Sequence, residues 1–144
     1  MKPRNGLEIQ DVGGLELFFK GLADTSRLRI LNLLFHGELC GCDIQYVLGA
    51  SQSNISRHLT YLKNSGLVQD RRAGYRVYYR LSHRHSADHK LLFDYLGQAF
   101  QRDMPFTTDM KKLKAAIRQG ACTATDGQAD TKSSNQRTQK LAHA

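Results

Sequence analysis

Two cysteines one residue apart, Cys40 and Cys42, lie in the stretch Gly37-Glu38-Leu39-Cys40-Gly41-Cys42-Asp43 and are the side chains in this sequence best placed to do chemistry. Thiolate sulfur is the natural ligand of soft, thiophilic ions. A Cys-Gly-Cys run flanked by Glu38 and Asp43 makes a poor core segment, which favours a ligand or sensor role over a buried structural one. Two sulfurs make an incomplete site. Cys122 is the only other cysteine, and His36 or a small-molecule thiol are the alternative third donors. The same sulfurs also allow a redox switch, with Cys40 or Cys42 pairing with Cys122. An enzyme is not expected: Cys42 near His36 lacks a third orienting group, an oxyanion loop or a phosphate-binding glycine motif.

The elements around these sulfurs are read from hydrophobic periodicity. Leu15, Phe18, Phe19 and Leu22 fall at i, i+3, i+4 and i+7, a helical stripe. Ala23-Asp24-Thr25-Ser26 breaks that helix and offers a capping oxygen to the next. From Arg27 to His36 the chain is apolar nearly all round, which predicts a buried central helix stopped at Gly37. After the cysteines, Ile44, Val47 and Leu48 predict a short helix closed by Gly49. Ser51 or Ser53 then caps a helix with Ile55, Leu59 and Leu62 on its apolar side and Gly66 at its end. Two short helices joined by a few residues including Gly describe a helix-turn-helix. The opposite face carries Gln52, Asn54, Ser56, Arg57, His58 and Thr60, groups that pair with base edges and phosphates, and no Asp or Glu occurs from Ser51 to Gln69.

Leu67–Arg72 and Tyr75–Leu81 flank Ala73-Gly74, and in the second run Val77, Tyr79 and Leu81 alternate with Arg76, Tyr78 and Arg80. That is the period of a half-buried hairpin with arginines outward, a wing beside the helix-turn-helix. Leu91, Leu92, Tyr95, Leu96, Ala99 and Phe100 predict a further helix, and Met110, Leu113 and Ile117 a weaker one after Pro105. A small winged domain cannot bury its outer helices alone, so the N- and C-terminal helices are assigned to a dimer interface, which also suits reading of a palindrome. Residues 1–13 read as a flexible arm, 14–119 as the DNA-binding and dimerisation domain, and 120–144, rich in Thr, Ser, Gln, Asn and Ala, as a disordered tail.

The net charge of +8 on 144 residues points to a polyanionic partner. The tail supplies little of it. Gln69–Lys90 alone holds six basic residues against two acidic ones, so the field sits on the folded part. No apolar run is long enough to cross a bilayer, and Met1-Lys2-Pro3-Arg4-Asn5-Gly6 lacks the apolar core of a secretory signal, so a cytoplasmic protein is expected.

Residues 15–100 resemble the ArsR/SmtB family of winged-helix bacterial repressors, which dissociate from DNA on binding a metal or metalloid ion. The resemblance is carried by Leu22-Ala23-Asp24-Thr25-Ser26-Arg27-Leu28-Arg29-Ile30, Glu38-Leu39-Cys40-Gly41-Cys42-Asp43, Ser51-Gln52-Ser53-Asn54-Ile55-Ser56-Arg57-His58-Leu59 and the wing from Asp70 to Leu81. It implies a mainly α winged helix-turn-helix of four helices, a two-stranded wing and a fifth helix. It also implies a homodimer on double-stranded operator DNA. By the resemblance, Ser53, Asn54, Ser56, Arg57 and His58 face DNA from the helix and Arg72 and Arg76 from the wing; Gln52 on the same helix face and Arg71 and Tyr75 of the wing complete the candidate DNA-binding set. Glu-Leu-Cys-x-Cys-Asp is similar to the sensing site of the arsenical-responsive branch, implying arsenite or antimonite as inducer, with a soft divalent metal such as cadmium or lead as the alternative. Where that branch has a third cysteine three residues on, this chain has Gln45, and Cys122 takes its place as the expected third ligand. Asp88 and His89 lack the further His pair of the zinc-sensing branch.

The spacing of the cysteines constrains the mechanism. Helical residues i and i+2 point roughly 200° apart, since each step turns about 100°. Either Cys40 therefore lies outside the helix, or ion capture unwinds its first turn.

Overall fold

A computed structural model describes residues 12–82 and 87–120. Helices α1 (Val12–Leu22) and α2 (Thr25–Leu34) are followed by a two-residue strand β1 (Leu39–Cys40). Helices α3 (Gly41–Leu48) and α4 (Gln52–Asn64) come next, then strands β2 (Val68–Ala73) and β3 (Arg76–Leu81). Helices α5 (Ala87–Phe100) and α6 (Phe106–Arg118) end the described chain. Three of these helices have a boundary with a clear local cause. Asp24 caps α2, its carboxylate accepting from the Arg27 amide at 3.0 Å. Ser51 caps α4 through the Asn54 amide at 3.3 Å. Gly49 closes α3 in the left-handed conformation, at φ 63°, and Gly74 uses the same region to turn the wing.

The core is centred on α2, whose Ile30, Leu31, Leu33 and Leu34 are all buried, and it continues through Leu39, Ile44, Ile55, Leu59, Leu62, Phe93 and Leu113. Each such side chain contributes about 2 kcal/mol by leaving water. Arg27 fixes the helix-turn-helix to this base. Its guanidinium donates to the carbonyls of Gly21 at 2.9 Å and Lys20 at 2.8 Å, which end α1, and stacks 4.1 Å from the Tyr61 ring of α4.

The expected winged helix-turn-helix is present, with two additions. The sheet has three strands in the order β1-β3-β2, all antiparallel, because Leu39 and Cys40 pair with Tyr79 and Tyr78. A two-residue strand shows no period, so only its partner strand reveals it. The weak stripe after Pro105 is a full helix, α6, docked on α2 of the same chain. Arg29 donates from Nε and Nη2 to both oxygens of buried Asp109 at 2.7 and 2.9 Å, and Asn32 donates to the Phe106 carbonyl at 2.9 Å.

On the wing, Tyr78 rather than its alternating neighbours is the most buried of its strand, because the Arg71 guanidinium lies over its ring at 4.6 Å. α1 and α5 meet through Phe18 and His89, with ring centroids 5.1 Å apart. Both nevertheless leave large apolar side chains outside: Leu15 and Phe19 on α1, Leu91 and Tyr95 on α5. No helix among the described residues is long and apolar enough to cross a membrane.

Candidate functional site

Cys40 lies outside the helix. It ends β1 and is the residue that caps α3, with extended backbone at φ −66° and ψ 146°, while Cys42 occupies the first turn. The strand-to-helix corner removes the opposition that two helical positions would impose. The Cys42 amide donates to the Cys40 sulfur at 3.4 Å, and the Cys42 thiol points at that sulfur from 2.6 Å. Both sulfurs thus face one point without any unwinding of α3. Cys40 is buried and Cys42 partly exposed, so a ligand reaches the pair from the Cys42 side. The segment is also more interior than its composition suggests: Leu39, Cys40 and Asp43 are all buried, because β1 is held in the sheet and α3 turns inward immediately after it.

The sulfurs border a cavity of about 410 Å³ lined by Gln45 of α3, by Gln52, Ile55, Ser56 and Leu59 of α4, and by Tyr75, Arg76, Val77 and Tyr79 at the wing. Gln45 stands where a third sulfur was looked for. His36 is exposed and does not line the cavity. Among the described residues no group of three His, Cys, Asp or Glu comes together. Cys122 lies outside the described residues.

The helix side chains singled out for DNA divide. Gln52, Ser53, Ser56 and Arg57 are exposed and Asn54 half-exposed, with Arg57 donating to the Asn54 side-chain oxygen at 2.9 Å. His58 is different. It is buried, with Nδ1 3.8 Å from the Asp24 carboxylate, so it joins α4 to the start of α2 rather than facing outward. The signal was in the sequence, since Ile55, His58 and Leu62 share one side at i, i+3 and i+7. Asp24 in turn is drawn in two directions. Burial pushes its carboxyl upward, but the Arg27 amide, His58 and the Arg27 charge together hold it below the ordinary value.

The wing residues divide too. Arg72 and Tyr75 are exposed, and Arg76 lies 5.8 Å from the Tyr75 ring. Arg71 is engaged within the chain: its Nε and Nη2 donate to one Glu38 oxygen at 2.8 and 2.6 Å. Glu38 is two residues ahead of Cys40. Sequence reading left it as a flanking acid and missed its part in tying the thiol segment to the far strand of the wing. Lys63 and Asp70, 2.9 Å apart, tie the end of α4 to β2.

The profile of the bacterial regulatory protein, arsR family, matches residues 24–70, which span the thiol pair and all of α4. The arsenical resistance operon repressor of Escherichia coli K12 is 55% identical over 65 residues, 44% of this chain and 56% of that protein. A cadmium resistance transcriptional regulatory protein CadC homolog of Staphylococcus aureus is 41% identical over 68 residues, 46% of this chain and 56% of that one. The chain thus spans about half the length of these curated relatives. Among solved structures, the homodimeric winged helix-turn-helix DNA-binding domain of a possible ArsR-family regulator from Mycobacterium bovis is 33% identical. Its TM-score is 0.54, and the match covers 64% of this chain and 82% of that domain. The family is one of regulators, not enzymes. This chain is a winged helix-turn-helix member of the arsR family of bacterial regulatory proteins.

Proposed function

We propose that this chain is a transcriptional repressor that holds operator DNA as a homodimer and lets go when arsenite or antimonite binds the Cys40 and Cys42 thiolates. Cys122 serves as the third sulfur, and cadmium or lead is the alternative inducer. One observation carries the reading: two sulfurs converge on a cavity whose other walls are α4 and the wing. Occupation of that cavity bears directly on the elements that face DNA, so binding and release share a boundary. The arsenical and cadmium resistance for which the relatives are named support a soft ion as the signal. Outward-facing Leu15, Phe19, Leu91 and Tyr95 support pairing through α1 and α5. DNA is contacted by Gln52, Ser53, Asn54, Ser56 and Arg57 in the major groove and by Arg72, Tyr75 and Arg76 at the wing.

The test is release of labelled operator by arsenite, antimonite and cadmium in a gel shift. Wild type lets go, whereas Cys40→Ser and Cys42→Ser keep their operator affinity and lose the response. Equal release of wild type and Cys42→Ser refutes ion sensing at this site. Release by peroxide, reversed by dithiothreitol, with no effect of arsenite, would put a redox switch in its place.

A further inference from the structure

Helix α6 packs against α2 and α3 and buries Asp109, Leu113 and Ala116. At about 100° per residue, Lys111, Lys114 and Arg118 fall together within roughly 60° on the opposite side. These three and Lys112 are exposed. The one acid of the helix, Asp109, is the residue turned inward to Arg29, so the outer face is of a single sign. No ion pair among the described residues engages any of the four cations. A helix face that merely meets solvent usually mixes both signs. Lys112 flanks the stripe on the side of α3, its ammonium 5.8 Å from the ring centre of the exposed Tyr46. Tyr46 belongs to the first helix of the helix-turn-helix, the one that crosses the DNA backbone in this motif. The cations of α6 therefore begin at the edge of the reading unit.

We propose that Lys111, Lys112, Lys114 and Arg118 form a second contact surface for the DNA backbone, holding phosphates beyond those reached by α4 and the wing. The inference rests on the operator-binding reading above and extends it to a helix outside the winged helix-turn-helix. A row of cations suits a polyanion of regular charge spacing. Lys111 and Arg118 stand about 10 Å apart along the helix, close to the axial span of about three successive phosphates on one strand. With no carboxylate on the outer face, nothing on α6 repels the backbone. Ammonium and guanidinium groups here neutralise phosphates without reaching base edges, so they add affinity and salt dependence but no sequence preference.

The experiment first lets the full-length wild type select its duplex from a random-sequence pool. Anisotropy titrations of that duplex across a sodium chloride series then compare wild type with the quadruple variant Lys111→Gln, Lys112→Gln, Lys114→Gln, Arg118→Gln. Glutamine has nearly the helix propensity of lysine, so the thermal melts should coincide. A single contact from each protomer, two per dimer, is worth a slope of about 1.8 in log K against log salt. The variant should flatten the slope by at least that amount and lose roughly tenfold less affinity than wild type between 50 and 200 mM salt. The charge-keeping variant Lys111→Arg, Lys112→Arg, Lys114→Arg should retain the wild-type slope. Ethylation of single phosphates should reveal backbone positions that impair wild type and leave the glutamine variant indifferent. The proposal is overturned if the flattening falls short of that amount, or if the charge-keeping variant flattens the slope as much. It is equally overturned if both proteins are impaired at the same phosphates, which would leave the stripe to an acidic protein. A wild type that selects no duplex defeats the operator-binding reading itself.

Discussion

Arg71 and Arg72 are neighbours on β2, yet their surroundings differ, and the salt dependence of DNA binding should separate them. Each phosphate neutralised by a protein cation steepens log K against log salt by about 0.9. Arg72 is exposed. Its replacement by Ala removes one contact per protomer and two per dimer, flattening the slope by about 1.8. Between 50 and 200 mM salt the variant should lose roughly tenfold less affinity than wild type. Arg71 is held by Glu38 at 2.6 to 2.8 Å and lies over Tyr78 at 4.6 Å. A partly exposed pair is worth up to about 1 kcal/mol and the ring contact about 0.5–1 kcal/mol. Freeing Arg71 for a phosphate would offset most of that contact's gain, so Arg71→Ala should change the slope by less than about half a unit. Anisotropy titrations of labelled operator across a sodium chloride series measure both variants. A slope flattened as much by Arg71→Ala as by Arg72→Ala would refute the assignment of Arg71 to its contacts with Glu38 and Tyr78.

Two further outcomes concern the scaffold. Asp24→Ala should cost about 1 kcal/mol at neutral pH through loss of the α2 cap. Because the Asp24 carboxyl is held below its ordinary value, that advantage is present above about pH 4, the unfolded carboxylate value. It fades as pH falls through the lower folded value, so denaturation midpoints of wild type and variant should converge in acid. Asp109→Ala leaves the Arg29 guanidinium without the carboxylate that holds it. It should cost about 3 kcal/mol, whereas the double change Arg29→Met with Asp109→Leu should cost much less, as thermal melts would show.

What the sequence made legible follows from the range of the forces involved. The stripe on α1, the glycine stops and the serine cap of α4 are set by neighbours within a turn or two, and they appear where periodicity and capping place them. Tertiary placement was less visible. His58 has the spacing of an inward residue, but its polarity suggested the outer face, and only the position of Asp24 shows why it turns in. Arg71 and Arg72 look interchangeable in the chain. What distinguishes them is a glutamate 33 residues away from Arg71. β1 is invisible for a similar reason, since a two-residue strand exists only through its pairing with β3.

That short strand changes how the sulfur site relates to DNA. Had both cysteines been helical, capture of an ion would have had to unwind α3. At a strand-to-helix corner no unwinding is needed, and the effect of a ligand must leave by other connections. Two are present. One is the cavity, which the sulfurs share with Gln52, Ile55, Ser56 and Leu59 of α4. The other is the sheet, in which Cys40 pairs with Tyr78, Tyr78 pairs with Arg71, and Arg71 reaches back to Glu38 beside the cysteine. A sheet row transmits displacement of its edge stiffly, whereas a partly exposed ion pair yields for about 1 kcal/mol. On the proposed reading, both routes lead from the sulfurs to α4 and the wing.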